Sequence, residues 1–128
     1  MKLEDQVVSL ELAKRLKELG VRQHGEFYWC NPENSKGELI GDKWVVYRKD
    51  GYTVLDDDPS AFTVAELGEM LPWTVYTRRT ADESKAGRIW NCFHNPRKDE
   101  FFSECDLTEA DARAKMLIYL IEKGLVKP

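Results

Sequence analysis

The chain has 128 residues, 42% of them hydrophobic, which suits a single domain over residues 1–128 with a core of ordinary size. The net charge of −4 argues against general nucleic-acid binding, which requires a strongly basic surface. The longest apolar run, residues 116–121, is far shorter than the roughly 18 residues of a membrane span, so no membrane association is expected.

The N-terminus and the cysteines both favour a cytoplasmic protein. MKLEDQVV has acidic residues where a signal peptide would have a basic region followed by an apolar stretch. Three cysteines are an odd number, which excludes a complete set of intrachain disulfides. Free, buried cysteines are the usual state in the cytosol.

The first predicted element is a helix over residues 9–20, with Ser9 as its N-cap and Gly20 just beyond its end. Its apolar residues recur at helical spacing: Leu12, Ala13, Leu16 and Leu19. The aromatic residues of 26–31 then predict a strand. Residues 42–55 predict a hairpin in which 44–47 lead in, Lys49-Asp50-Gly51 turn and 52–55 lead out.

A loop over residues 56–62 and a short helix over 62–72 follow. The three aspartates at 56–58 lack the glycine and the distant glutamate of a calcium loop, so we expect a solvated turn. Thr63 and Glu66 have the spacing of a capping box at the start of the short helix. Pro72 is placed to end it.

Three more strands are predicted over residues 73–79, 88–95 and 101–107, joined by polar turns. The closing helix, 108–126, has Thr108 as its N-cap, Asp111 at the capping-box position and Gly124 at its end. Its apolar stripe is Ala112, Met116, Leu117, Leu120 and Ile121. The order α-β-β-β-α-β-β-β-α predicts an α+β fold, an antiparallel sheet with helices packed against it.

The segment RIWNCFHNP, residues 88–96, places Cys92 and His94 on one face of a predicted strand. Co-ligation of a metal ion would need a second half-site from Cys30 and Cys105, neither of which has a neighbouring ligand in the sequence. We therefore interpret the segment as a strand with Cys92 in the core and predict no metal site.

No sequence motif indicates a reaction. A cysteine nucleophile needs a base and a lowered pKa, and Cys92 with His94 on one strand seldom aligns for proton transfer. The chain contains no G-x-S-x-G, H-E-x-x-H, P-loop or G-x-G-x-x-G motif. The prediction is a protein that is not an enzyme and that needs no cofactor.

Basic and aromatic residues are interleaved from residue 74 to residue 103, a stretch that is positively charged in an acidic chain. Such a pattern suits two kinds of site: a surface that binds a protein, or a clamp for a nucleotide-like anion. The candidate binding residues are the members of this set, with Trp73 just before it, that face outward, and the sequence does not decide which faces of the strands are exposed. They are drawn from Trp73, Tyr76, Arg78, Arg79, Arg88 and Trp90.

Three segments carry a resemblance: SLELAKRLKELGV leading into FYW, SAFTVAELGEMLP, and TEADARAKMLIYLIEKGLV. In this order they resemble a family of small uncharacterised proteins encoded by tailed phages, prophages and other bacterial mobile elements. The resemblance covers about half of the chain and implies that the two β blocks are the variable part. It implies an accessory gene product in a bacterial cytoplasm, and no catalytic or binding residue carries over.

The leading hypothesis is a non-enzymatic phage or mobile-element accessory protein that binds a host protein and counters host defence. The alternative is a protein that sequesters a nucleotide signal. A hydrolase, and a virion or replication component, are further alternatives. The sequence leaves the oligomeric state open, a homodimer included.

Overall fold

The computed structural model describes residues 2–31, 44–51, 54–82, 87–97 and 100–128, without the side chains of 80–82, 87–88, 97 and 100–101. Its helices and strands are α1 (Leu10–Glu18), β1 (Phe27–Cys30), β2 (Val45–Arg48), α2 (Val64–Met70), β3 (Val75–Asp82), β4 (Gly87–Arg97), β5 (Glu100–Asp106) and α3 (Glu109–Glu122). Short 3-10 turns lie at Leu3–Asp5 and Lys49–Gly51. The predicted α+β class and the order of the elements are confirmed.

The strands form two antiparallel sheets. Strand β1 pairs with β2 in the smaller sheet, and the larger sheet has the order β3-β4-β5, with β4 in its centre. The pairing of β4 with β5 is irregular between His94 and Arg97. No helix in the described ranges is long and apolar enough to cross a membrane.

The predicted hairpin at 42–55 forms only in part. Strand β2 pairs with β1, and Lys49–Gly51 is a 3-10 turn. Of the outgoing arm, residues 52 and 53 lie outside the described residues, and Val54 and Leu55 are not in a strand. The segment 59–61 runs beside β1 instead, with the Ala61 N–H donating to the Phe27 carbonyl at 2.8 Å.

The aspartates that precede this segment differ in their environments. Asp56 and Asp57 are exposed, as expected of a solvated turn. Asp58 is buried, and its carboxylate accepts a hydrogen bond from the Leu55 N–H at 2.9 Å. The prediction of a fully solvated turn was therefore wrong for Asp58, because this carboxylate closes the turn rather than facing water.

Helix α3 lies between two clusters of buried residues. Its residues Ala110, Ala114, Leu117 and Ile118 join a cluster that includes α1, α2 and the smaller sheet. Its residues Ala112, Met116 and Leu120 pack with Cys92 beneath the larger sheet. The apolar stripe predicted from the sequence covers only part of the buried surface of α3, because the helix is buried along two sides.

The helix ends mostly follow the sequence signals. Thr63 and Glu66 form the predicted capping box, with both reciprocal hydrogen bonds present. Gly20 and Gly124 follow α1 and α3 in the left-handed region, at φ values of 91° and 72°. Ser9 occupies the N-cap of α1, but its side chain makes no capping hydrogen bond.

Asp111 has a different partner from the one its position predicts. Thr108 caps α3 by accepting from the Asp111 N–H, but the Asp111 carboxylate accepts from the Ser9 N–H at 2.7 Å instead of closing the box. This hydrogen bond joins the start of α1 to the first turn of α3. Burial is the largest influence on the carboxyl group and raises the pKa of Asp111.

A second set of polar contacts, made by Arg113, joins α3 to α2 and β3. Its guanidinium donates to the Val64 carbonyl at 3.1 Å, to Thr77 Oγ1 at 3.2 Å and to Glu109 Oε1 at 3.1 Å. Gly68 makes room for it, because a Cβ at that position would lie 2.4 Å from Arg113 Nη1.

We expect Gly68→Ala to destabilise the protein by about 1 kcal/mol, although alanine favours a helix interior over glycine. The added methyl group displaces the Arg113 guanidinium and weakens the hydrogen bonds that it donates. Urea unfolding of the wild type and of Gly68→Ala measures the change in the free energy of unfolding. Gly51→Ala is the control, because no atom of the described residues lies within 4 Å of its added Cβ. An equal effect of both substitutions would contradict the explanation.

We expect Asp111→Asn to be more stable than the wild type at neutral pH, because the amide keeps an acceptor for the Ser9 N–H without a buried charge. A raised carboxyl pKa penalises folding above that pKa, and the penalty disappears as the pH falls to the ordinary value of 3.8. The difference between the two proteins should therefore shrink from neutral pH towards pH 3.8. Urea unfolding across this range measures it, and a difference that grows on acidification would refute the assignment.

Candidate functional site

The larger sheet has a face covered by α3, here called the inner face. Alternation along β4 places Trp90, Cys92 and His94 on it, and Cys92 and His94 are buried against α3 and its neighbours. The register sets Thr77 beside Cys92 and Val75 beside His94 on the adjacent strand β3. The inner face is therefore part of the core over most of its length.

Cys92 and His94 lie on one face, as their spacing predicts, and both contribute to packing. His94 Nδ1 is 3.1 Å from Thr74 Oγ1, and the imidazole stacks on Phe102 at a centroid distance of 6.2 Å. Burial raises the pKa of the Cys92 thiol to about 12, so this thiol is neutral at physiological pH. No group of three or more His, Cys, Asp or Glu side chains in the described residues is placed to hold a metal ion.

The opposite face of the larger sheet, here called the outer face, carries Tyr76 and Arg78 from β3 and Phe93 from β4. Tyr76 is 51% exposed and stacks on Phe93, with ring centroids 5.1 Å apart. Arg78 is exposed beside them. Trp73, in the turn that leads into β3, is 94% exposed, a large apolar area for a single side chain.

A cleft of about 590 Å³ lies where the larger sheet meets the N-terminal ends of α2 and α3. Arg79 and Trp90 enter it from adjacent positions on β3 and β4, with the Arg79 guanidinium carbon 5.9 Å from the centre of the Trp90 ring. Much of the remaining wall is apolar and includes Leu3, Val64 and Leu107. These residues bound the space that is here called the cleft.

The structure divides the six candidate binding residues among separate places. Tyr76 and Arg78 lie on the outer face, while Arg79 and Trp90 line the cleft on the other side of the sheet. Arg88 is in β4 opposite Ala81, and its side chain is outside the described part of the chain. Their role in binding stays a prediction, but the described members do not form one continuous surface.

Several residues of the outer face and of the cleft were not among the six candidate binding residues. Phe93 completes the aromatic stack on the outer face, and the alternation of β4 could have identified it once the face covered by α3 was known. Leu3, Val64 and Leu107 reach the cleft from three distant parts of the sequence. No local pattern indicates that such residues meet.

Comparison with protein-family models, with curated proteins and with solved structures found no match. The predicted relation to phage and mobile-element proteins therefore stays a prediction.

The burial of the three cysteines predicts one reactive thiol. Cys105 is exposed, whereas Cys30 and Cys92 are buried. We expect one thiol per chain to react rapidly with an aromatic disulfide reagent at pH 8, and the other two to react only after unfolding. Cys105→Ser should abolish the rapid phase and Cys92→Ser should leave it unchanged, so loss of the phase in the second variant would contradict the assignment.

Proposed function

We propose that this chain is a non-enzymatic accessory protein of a phage or mobile element that binds a host protein in the bacterial cytoplasm. The biological role we propose for the complex is to counter a host defence. The partner contacts the outer face of the larger sheet and Trp73 in the turn before β3. The observation that carries the proposal is the exposure of Tyr76 on the outer face, which α3 leaves uncovered, together with the exposure of Trp73 in the turn that leads into β3.

The residue types on this surface support protein binding. Trp, Tyr and Arg dominate the energetics of protein interfaces, because each buries a large area and also offers a polar group. Burial of a side chain as exposed as Trp73 stabilises a complex by roughly 2 kcal/mol. The stack of Tyr76 on Phe93 limits the freedom of the tyrosine ring before binding, which reduces the entropy lost on association.

The charge of the outer face indicates the chemistry of the partner. Its described side chains are Tyr76, Arg78, Ile89, Asn91, Phe93, Asn95, Ser103 and Cys105, as alternation along the three strands assigns them. These include one cation and no carboxylate. The complementary partner surface has an apolar centre beside an acidic group.

The non-enzymatic part of the proposal is supported by the state of Cys92 and His94. These residues would be the first choices for nucleophilic or acid–base chemistry, yet both are buried on the inner face. The neutral thiol of Cys92 is a poor nucleophile, and His94 is held between Thr74 and Phe102.

A second candidate function is sequestration of a nucleotide-like small molecule. One observation favours it: Arg79 and Trp90, two of the candidate binding residues, line the cleft together, and a pocket lined by arginine and aromatic residues suits such a ligand. Its volume of about 590 Å³ is within the usual range for small-molecule sites. This function would use the side of β3 opposite to the proposed protein-binding surface.

Arg78 and Arg79 provide a matched pair of variants for testing the protein-binding function. We expect a tagged wild-type chain to enrich one host protein from lysate, and Arg78→Glu to reduce that enrichment at least tenfold. Arg79→Glu makes the same charge change at the next residue, on the opposite face, and should leave the enrichment intact. Quantitative mass spectrometry measures all three samples.

Titration of the purified partner by calorimetry then tests for direct binding, with Tyr76→Ala as a further variant. Equal enrichment by Arg78→Glu and the wild type would show that the outer face is not the interface. A host lysate from which the wild type enriches no protein would count against the protein-binding function itself.

A further inference from the structure

Among the described residues, the cleft combines an aromatic ring and an apolar wall with one cation that forms no ion pair. Arg79 lies beside Trp90, and its guanidinium forms no ion pair with any carboxylate of the described residues. An arginine so placed keeps its donors available for a ligand. The planar guanidinium also suits bidentate contact with a carboxylate or a phosphate.

The carboxylates around the cleft limit the charge that a ligand can carry. Glu109 is on the wall, where its Oε1 accepts hydrogen bonds from Thr77 at 2.7 Å and from Arg113 at 3.1 Å. Its charge is therefore largely offset within the protein. Asp5 is also on the wall and is exposed, without an ion pair in the part of the chain that the structure describes. Among the described residues of the wall, a multiply charged anion would meet one cation without an ion pair, Arg79, and the carboxylate of Asp5, which would repel it.

We propose that the cleft binds a planar aromatic molecule that carries a single negative charge. The anionic group contacts the Arg79 guanidinium, and the aromatic body packs against Trp90 and the apolar wall formed by Leu3, Val64 and Leu107. Stacking of a ring on Trp90 and burial against aliphatic side chains supply the apolar part of the binding energy. The single charge matches the one cation without an ion pair among the described residues that line the cleft.

Two sources share this chemistry: cyclic mononucleotides and aromatic carboxylates. This proposal shares the cleft with the second candidate function and rests on that function in this respect alone. It specifies the charge and the shape of the ligand, and it does not require the ligand to be a nucleotide. It is independent of the proposed protein-binding surface, which lies on the other face of the larger sheet.

The test is calorimetric titration of the full chain with four probes. Cyclic AMP and indoleacetate are aromatic monoanions, indoleacetamide is the neutral counterpart of indoleacetate, and ATP is a polyanion with the same base as cyclic AMP. We expect at least one monoanion to bind with one-to-one stoichiometry. Indoleacetate should bind about tenfold more tightly than indoleacetamide, or cyclic AMP about tenfold more tightly than ATP.

Arg79→Gln should weaken monoanion binding by about tenfold, and Arg78→Gln should leave it unchanged. The second variant loses the same charge from the adjacent residue, so it controls for changes in overall charge and in folding. Trp90→Leu keeps an apolar side chain in the wall and removes the aromatic ring, so it should also weaken binding. Far-ultraviolet circular dichroism and urea unfolding confirm that the variants are folded.

The outcomes separate this proposal from the second candidate function. Binding of indoleacetate without cyclic AMP would support the proposed ligand chemistry and count against a nucleotide. ATP binding more tightly than cyclic AMP would overturn the single-charge assignment while leaving a nucleotide function standing. Absence of binding by both monoanions at millimolar concentration, or equal weakening by Arg78→Gln and Arg79→Gln, would overturn the proposed site.

Discussion

The packing of helix α3 between two clusters of core residues is the constraint on which both sheets depend. Leu117 and its neighbours on one side of the helix face α1, α2 and the smaller sheet, while Met116 and Leu120 on the other side support the larger sheet. The buried alanines at 110, 112 and 114 allow close approach without weakening the helix, because alanine has the highest helix propensity. A helix buried on two sides loses the simple amphipathic pattern, so its stripe in the sequence is only part of its contact surface.

Polar contacts determine how α3 is oriented in this core. Asp111 accepts a hydrogen bond from the start of α1, and Arg113 donates to α2 and β3 from the same half of the helix. Apolar packing alone tolerates small shifts, whereas these hydrogen bonds require defined partners in partly buried surroundings. The two functional surfaces follow from this geometry: α3 covers the inner face of the larger sheet, leaves the outer face open, and meets Trp90 and Arg79 at one end to form the cleft.

Features encoded by a few neighbouring residues were predictable from the sequence. The capping box of Thr63 with Glu66 and the glycines that follow α1 and α3 are such features, since each depends on backbone groups within one helical turn. Asp111 had the correct spacing for a box but a distant N–H as its partner, and only the assembled fold brings Ser9 to it. The exposed faces of the strands could not be assigned from the sequence for the same reason: alternation separates Arg78 from Arg79, but which of them faces α3 depends on tertiary packing. Cys92 and His94 were correctly placed on one face because that inference needs only the period of a strand.

The two proposed sites share strand β3, so their independence depends on how rigid that strand is. Arg78 and Arg79 are consecutive, and the sheet itself separates their side chains. A ligand in the cleft could influence a partner on the outer face only by moving β3 relative to its neighbours, because binding sites are coupled by a shared change of state and not by proximity alone. Strand β3 pairs with β4 along its whole length, from Val75 opposite His94 to Asp82 opposite Gly87, and Thr77 is further held by Glu109 and Arg113 of α3. Displacement of β3 would break this ladder and those hydrogen bonds together, so substitutions at positions 78 and 79 should act on separate sites with nearly additive effects.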